Sequence, residues 1–314
     1  MAGVALVTVA LLASRADEPK AEDSVYLFSS FRDPKNDGLY IAYSDDGYRW
    51  TDLGRTLLKP EVGNEKLIRD PSVCRTSDGV FHMVWTTGWS EKGIGYANSK
   101  DLIHWSAQKF LEVMAHEPTT MNTWAPEIRY DADRREFLIY WSSTIPGRFP
   151  GDELHPKKRN HRIYYTTTAD FETFAPTKML FDPGYSVIDA ILIDNRSFGA
   201  GGFAMVFKDE RRPERRLRTA FATSLLGPYT HITEPFTAHL SEGPTALRVG
   251  ERWVVYYDNY EDNPFGAAET TDFKTWTDVS SRVNFPRGHK HGTAFAAPRS
   301  VLDGLKRFAN GEQP

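Results

Sequence analysis

A short motif recurs five times in the chain, and that recurrence limits what it can fold into. Ser44-Asp45-Asp46-Gly47-Tyr48-Arg49-Trp50 is repeated in form by Ser99-Lys100-Asp101-Leu102-Ile103-His104-Trp105, by residues 168–174 and by residues 270–276; residues 223–229 are a weaker copy. Each copy has a polar start, a turn and an aromatic end, and the aromatics at 50, 105, 174, 229 and 276 lie 47 to 69 residues apart. A β-branched or aromatic run precedes each turn, at 39–44, 94–99, 163–168, 217–223 and 265–270. A second run lies before that, at 26–31, 81–87, 137–143, 203–208 and 253–259, and a third at 71–75, 126–130, 190–194, 244–248 and 293–297. With the strand after each turn, every unit has four strands, and five such units describe an all-β, five-bladed β-propeller. A β-sandwich with chance likeness between turns is the alternative, and five aligned copies of three segments argue against it. The last innermost run, 293–297, lacks following strands, and the runs at 26–50 lack an innermost one. The fifth blade is therefore expected to draw on both, leaving no open edge between first and last blades.

Charge and cysteine content narrow the function. Lys plus Arg is 38 against 42 Asp plus Glu, a net charge of −4, so the chain lacks the basic surplus of a protein that grips a phosphate backbone, and no nucleic-acid partner is expected. Cys74 is the single cysteine, which rules out an intrachain disulfide and a cysteine-based metal cluster. Residues 2–13 form an apolar run of signal-peptide length, too short for a membrane span, and Ser14-Arg15-Ala16 suits cleavage after Ala16. The expected organisation is a leader over 1–16, a propeller over 24–300 and a tail over 301–314. A secreted or periplasmic protein without a membrane span follows.

Residues just before the innermost strands of a propeller lie at the mouth of its central channel. Here they are Arg69-Asp70-Pro71, Trp124-Ala125-Pro126-Glu127, Ile188-Asp189-Ala190, Glu242-Gly243-Pro244 and His291-Gly292-Thr293. Taken singly, an Asp-Pro or Gly-Pro is a turn. Their recurrence in phase instead converges three acids, a Trp and a His on one pocket. Facing carboxylates suit glycosidic-bond hydrolysis, in which one carboxylic acid protonates the leaving oxygen and one carboxylate activates water. A third carboxylate raises the acid's pKa by repulsion.

The order Arg-Asp-Pro, Trp-Ala-Pro, Ile-Asp, Glu-Gly-Pro, His-Gly resembles glycoside hydrolase family 43 over residues 24–300. The resemblance implies a five-bladed propeller and inverting hydrolysis, with Asp70 as general base, Asp189 as pKa modulator and Glu242 as general acid. It also implies that His291 contacts a structural calcium ion in the channel, directly or through water, and that the chemistry needs no cofactor. A hydrogen-bonded core histidine and a metal-free support for a carboxylate are the other readings of His291. Two positions depart from the family pattern: Glu127 stands where Asp is common and Ala190 where Pro is frequent. The related family 32 expects an earlier Asn-Asp-Pro and a Glu-Cys. Here the earlier Asp33-Pro34 ends a second run, and Cys74 has no Glu beside it.

The second strands return toward the mouth, so their ends are expected at the sugar: Thr87-Gly88-Trp89, Ser142-Ser143, Lys208-Asp209 and Asp258-Asn259-Tyr260. Trp89 and Trp124 are candidates for apolar contact with a sugar face, against packing between blades. Lys208 donates to sugar hydroxyls or pairs with Asp209 or Glu210. Glu127 meets a hydroxyl or shapes its turn, and Asn259 completes the substrate-binding set. The other histidines show no metal-ligand spacing. Basic stretches at 157–162 and 211–218 read as solvated loops, the second placed to shape an extra subsite or favour an acidic glycan. The long insertion 144–162 reads as a pocket wall. The resemblance to family 43 implies an exo-acting hydrolase of terminal furanosides in oligo- or polysaccharides, α-L-arabinofuranosyl residues foremost. The same-family alternatives are a β-xylosidase, a galactofuranosidase or a galactosidase. From another class, a carbohydrate-binding propeller without turnover stays open.

Overall fold

The computed structural model describes residues 23–312 apart from 152–158, 197–201, 214, 239 and 261–264; the expected leader lies outside them. The repeated motif is a turn built by its own side chains. Ser44 Oγ accepts from the Asp46 and Gly47 amides, and Asp46 Oδ1 accepts from those of Tyr48 and Arg49 at 2.8 Å each. Ser99 and Asp101, Thr168 and Asp170, and Thr270 and Asp272 do the same. The residue after each Asp is left-handed: Gly47 (φ 79°), Leu102 (64°), Phe171 (57°) and Phe273 (56°). The motif recurs because each blade must turn between its third and fourth strands, and Ser/Thr and Asp supply that turn locally.

The strands are β1 (Ser24–Ser30), β2 (Tyr40–Ser44), β3 (Thr51–Asp52), β4 (Arg69–Arg75), β5 (Phe81–Thr86), β6 (Ile94–Ser99), β7 (Lys109–Leu111), β8 (Trp124–Asp131), β9 (Glu136–Ser143), β10 (Arg162–Thr168), β11 (Lys178–Phe181), β12 (Val187–Asp194), β13 (Phe203–Asp209), β14 (Arg216–Ala222), β15 (Ser241–Val249), β16 (Arg252–Asn259), β17 (Phe265–Thr270), β18 (Thr277–Asp278) and β19 (Ala294–Pro298). They form five antiparallel sheets, the blades of a propeller: β4–β7, β8–β11, β12–β14, β15–β18, and a sheet in the order β19-β1-β2-β3. In that last sheet β1 pairs with β19 from Ser24 opposite Pro298 to Phe28 opposite Ala294. The blade of β12–β14 departs from the four-strand expectation. Outside β14 only scattered bonds continue the ladder, such as Thr233 N to Thr219 O and Phe236 N to Leu217 O. Pro235 interrupts that edge because it has no N–H to donate.

Strands buried on both faces send alternate side chains to opposite cores. On β1, Val25 and Leu27 enter a cluster with Val73, Met83 and Trp85 of the next blade, while Tyr26 and Phe28 enter another with Val254, Tyr256 and Phe265 of the previous one. The apolar cores thus lie between blades, and the innermost strands surround a channel in which apolar side chains such as Val73, Ile128, Ile191 and Phe295 sit beside Glu127 and Arg129. The expected tail holds a helix, α1 (Arg299–Ala309), whose Leu302 and Leu305 are buried against the β1–β5 cluster.

Candidate active site

The four innermost strands β4, β8, β12 and β15 break register at the same place, between Arg69 and Ser72, Trp124 and Glu127, Ile188 and Ile191, and Glu242 and Thr245. Each break is a bulge with one left-handed residue: Asp70 (φ 49°), Ala125 (46°), Asp189 (53°) and Gly243 (57°). A left-handed non-glycine residue costs on the order of 1 kcal/mol, and Asp tolerates it better than most. Asp70 and Asp189 are therefore structurally equivalent. Glu242 stands one position earlier, and its longer side chain compensates. Gly243 has a steric reason besides its φ, since a Cβ there would fall 2.3 Å from His291 Cγ.

Opposite each bulge, a residue of the second strand reaches into the following blade. Thr86 Oγ1 donates to Asp70 Oδ2 (2.8 Å) and accepts from Ala125 N (2.9 Å). Ser142 Oγ accepts from Asp189 N (3.3 Å). Lys208 Nζ donates to Glu242 Oε2 (2.7 Å). Asp258 pairs with Lys290 (3.1 Å). Ser29 Oγ accepts from Thr293 N (3.2 Å) and donates to the Pro71 carbonyl (2.7 Å), joining β1 to β4 across the ring.

The result is one cavity of about 300 Å³ at the mouth, walled from every blade. Asp70, Asp189 and Glu242 face it, with His291 among them and Trp89, Trp124 and Tyr260 on its sides. His291 Nδ1 is 3.2 Å from Asp70 Oδ1. Burial pushes the His291 pKa down, but Asp70, Asp189, Glu242 and Glu127 outweigh it, and the net shift is upward. Asp189 accepts from Gly243 N at 3.0 Å. Burial pushes its carboxyl up to about 6, with Glu242 adding to the rise and His291 opposing it. Lys208, 1% exposed, is held by Glu242 and by Glu210 (2.5 Å). Burial works against its charge, and the two carboxylates raise its pKa despite that.

Against this geometry the chain can be compared with known proteins. Residues 22–300 match the sequence model of a family described as "Probable glycosyl hydrolase domain", a relative of glycosyl hydrolase family 43. The chain belongs to this family 43-related group of glycoside hydrolases. An α-L-arabinofuranosidase of Bifidobacterium longum subsp. longum is 24% identical over 200 residues, which is 54% of this chain and 18% of that protein. The family 43-related chain thus spans less than a fifth of that relative's length. Among solved structures, a thermostable family-43 glycoside hydrolase superposes with a TM-score of 0.54 at 16% identity, over 72% of this chain and 78% of that one. An α-L-arabinofuranosidase from Lactobacillus brevis gives 0.52 at 14%, over 68% and 72%. A family-43 β-1,3-galactosidase with galactodeoxynojirimycin gives 0.52 at 12%, over 70% and 79%. At these identities the likeness is one of fold.

The structure brings together Asp70, Asp189, Glu242, Trp89, Trp124 and His291 of the expected site residues of this family 43-related hydrolase. Two others fall elsewhere. Glu127 follows its bulge and points into the channel behind the pocket, where it accepts from Ser72 Oγ (2.7 Å) and burial pushes its carboxyl up to about 7. Asn259 turns its Oδ1 to Ser241 Oγ (3.2 Å), while Asp258 and Tyr260 line the cavity. Strand alternation is the reason: 258 and 260 share a face and 259 has the other. Lys208 pairs with Glu210, one of its expected partners, and with Glu242 as well. Both tryptophans are braced by cations, with the Arg69 guanidinium 4.4 Å over Trp89 and that of Arg159 4.2 Å over Trp124. Trp124 Nε1 also donates to the Trp89 carbonyl (3.2 Å). The sequence reading passed over Phe31, Asp33 and Lys290 as pocket lining. Asp33 pairs with Arg69 at 2.7 Å, and the Asp33-Pro34 dipeptide was the available signal.

Among the described residues no three His, Cys, Asp or Glu side chains gather as a direct metal site, and His291 turns Nδ1 to Asp70. Calcium takes six to eight oxygen ligands, so an ion beside His291 would be held mainly through water.

Proposed function

We propose that the protein is an inverting, exo-acting glycosidase that removes a terminal furanoside, α-L-arabinofuranose first, from an oligo- or polysaccharide. Release of terminal xylose, galactofuranose or galactose uses the same machinery, and the leader-like apolar run at 2–13 supports action outside the cytoplasm. The observation that carries this reading is the convergence of Asp70, Asp189 and Glu242 from three blades on one walled cavity. A pocket at the channel mouth walled from every blade suits a chain end, where an internal sugar needs a groove open at both ends. The arabinofuranosidase among the relatives supports the choice of sugar.

Asp70 is suited to the base. Thr86 and His291 hold its two oxygens in a fixed orientation toward the cavity. It takes a proton from water as the water oxygen attacks the anomeric carbon. The bond from that carbon to the leaving oxygen breaks, and Glu242 gives that oxygen its proton. Asp189 is buried beside Glu242, whose charge adds to the rise of the Asp189 pKa. Lys208 bridges Glu242 and Glu210 and so fixes the position of the acid.

The test is hydrolysis of aryl furanosides and pyranosides followed by proton NMR of the first-formed anomer. Inversion is expected, with Asp70→Asn and Glu242→Gln each lowering kcat by about 10²–10⁴-fold. Retention of configuration would overturn the mechanism. The Lys208–Glu242 pair favours a second reading, a glycan-binding propeller without turnover; equal low rates from wild type and Glu242→Gln would support it.

A further inference from the structure

Two half-buried arginines edge the same side of the pocket, and neither has a carboxylate partner of its own among the described residues. Arg159 lies over Trp124, and its Nε is buried without a hydrogen-bond partner. Its nearest opposite charge, Glu210, is already engaged by Lys208 Nζ at 2.5 Å. Arg215 lies 5.4 Å from the ring of Tyr260, whose hydroxyl is likewise buried and unpartnered. Trp124 and Tyr260 both line the cavity. By contrast, Arg69 is tied to Asp33 and Asn36, and Arg211 and Arg218 to Asp209.

From this arrangement we infer that the Trp124–Tyr260 edge is a subsite for an anionic group, a carboxylate or a sulfate, on the sugar that carries the scissile residue. The inference rests on the glycosidase reading above and names the class of its substrate. Guanidinium groups pair with such anions through two parallel N–H donors, and a half-buried cation without a counter-charge is a cost that a bound anion removes. The floor of the pocket selects in the opposite sense. Its charges are already matched, Asp70 with His291, Glu242 with Lys208 and Asp258 with Lys290, so the hydrolysed position suits a neutral sugar. Together the floor and the edge orient a mixed glycan with its neutral terminal sugar inside and its acidic neighbour at the edge.

The experiment uses Glu242→Gln, so that binding is read without turnover. Calorimetric titration compares an oligosaccharide fraction from a uronate-bearing arabinan-type glycan with the same fraction after its carboxyls are reduced to alcohols. A sulfated galactan fragment and its desulfated form make the second arm. At least one charged probe is expected to bind about tenfold or more tighter than its neutral twin, with the advantage shrinking as salt rises, and the arm that shows it identifies the anion. Arg159→Gln and Arg215→Gln are each expected to cut that ratio several-fold. Arg159→Lys keeps the charge without the planar fork and should fall between. Equal binding of charged and neutral twins, binding of neither, or a ratio untouched by the arginine variants would overturn the inference. A protein that prefers the charged twin and whose wild type hydrolyses nothing would instead sink the glycosidase reading and leave the subsite standing.

Discussion

At the scale of single residues, two buried side chains decide how the pocket responds to chemistry and to pH. Lys208 joins Glu242 and Glu210 with 1% of its surface exposed. Lys208→Met removes the cation that joins them, leaves Glu242 free to rotate, and should lower kcat by about 10–100-fold with a smaller change in KM. Lys208→Arg, which keeps the charge, should recover part of the loss in a steady-state assay. Glu127 titrates near 7 because burial disfavours its charge more than Ser72 and His291 favour it. An acid whose folded pKa is raised binds its proton more tightly in the folded chain, so its contribution is whole below the ordinary carboxylate range and is lost as pH rises toward 7. Asp189, raised to about 6, acts in the same direction, and the upward shift of His291 likewise gives stability that fades as pH rises through its folded pKa. Asp46, held near 2 by the amides of its turn against the opposing effect of burial, works the other way and loses its contribution only in strong acid. Thermal stability should therefore peak on the acid side of neutrality. Glu127→Gln should flatten the decline between about pH 5 and 7, a relief on the order of 3 kcal/mol at neutrality, read from denaturation midpoints across pH.

At the scale of elements, the bulge and the second-strand residue opposite it form one device. The bulge turns an acid toward the axis, and the facing residue ties that bulge to the next blade. Thr86 serves both ends, bonding Asp70 Oδ2 and Ala125 N. Thr86→Val keeps the shape and removes both bonds. The expected cost is about 1–3 kcal/mol with a measurable fall in kcat, checked by chemical denaturation beside kinetics. The turns were legible in the sequence because Ser/Thr, Asp and the left-handed residue act within six positions of one another. The bulges were half legible. Their dipeptides showed in phase, but the one-residue offset of Glu242 and the outward turn of Asn259 depend on register, and register is set by a partner strand that sequence spacing does not name.

At the scale of the whole molecule, stability lies in the apolar clusters between blades. The helix α1 seals one of these clusters with Leu302 and Leu305, both buried. Leu305→Ala should cost about 2–5 kcal/mol in unfolding free energy and leave the pocket kinetics alone, since the side chain lies in the core between blades. The sequence by itself determined the strand periods, the five turns and the acids placed before innermost strands, because those depend on neighbours along the chain. Tertiary structure alone decided which polar groups meet: His291 with Asp70, Lys208 with Glu242, Arg159 over Trp124, and Glu127 in the channel behind the pocket. The physical reason is distance along the chain. These groups are separated by tens to hundreds of residues, and only closure of the ring brings their charges into one low-dielectric space where each alters the others.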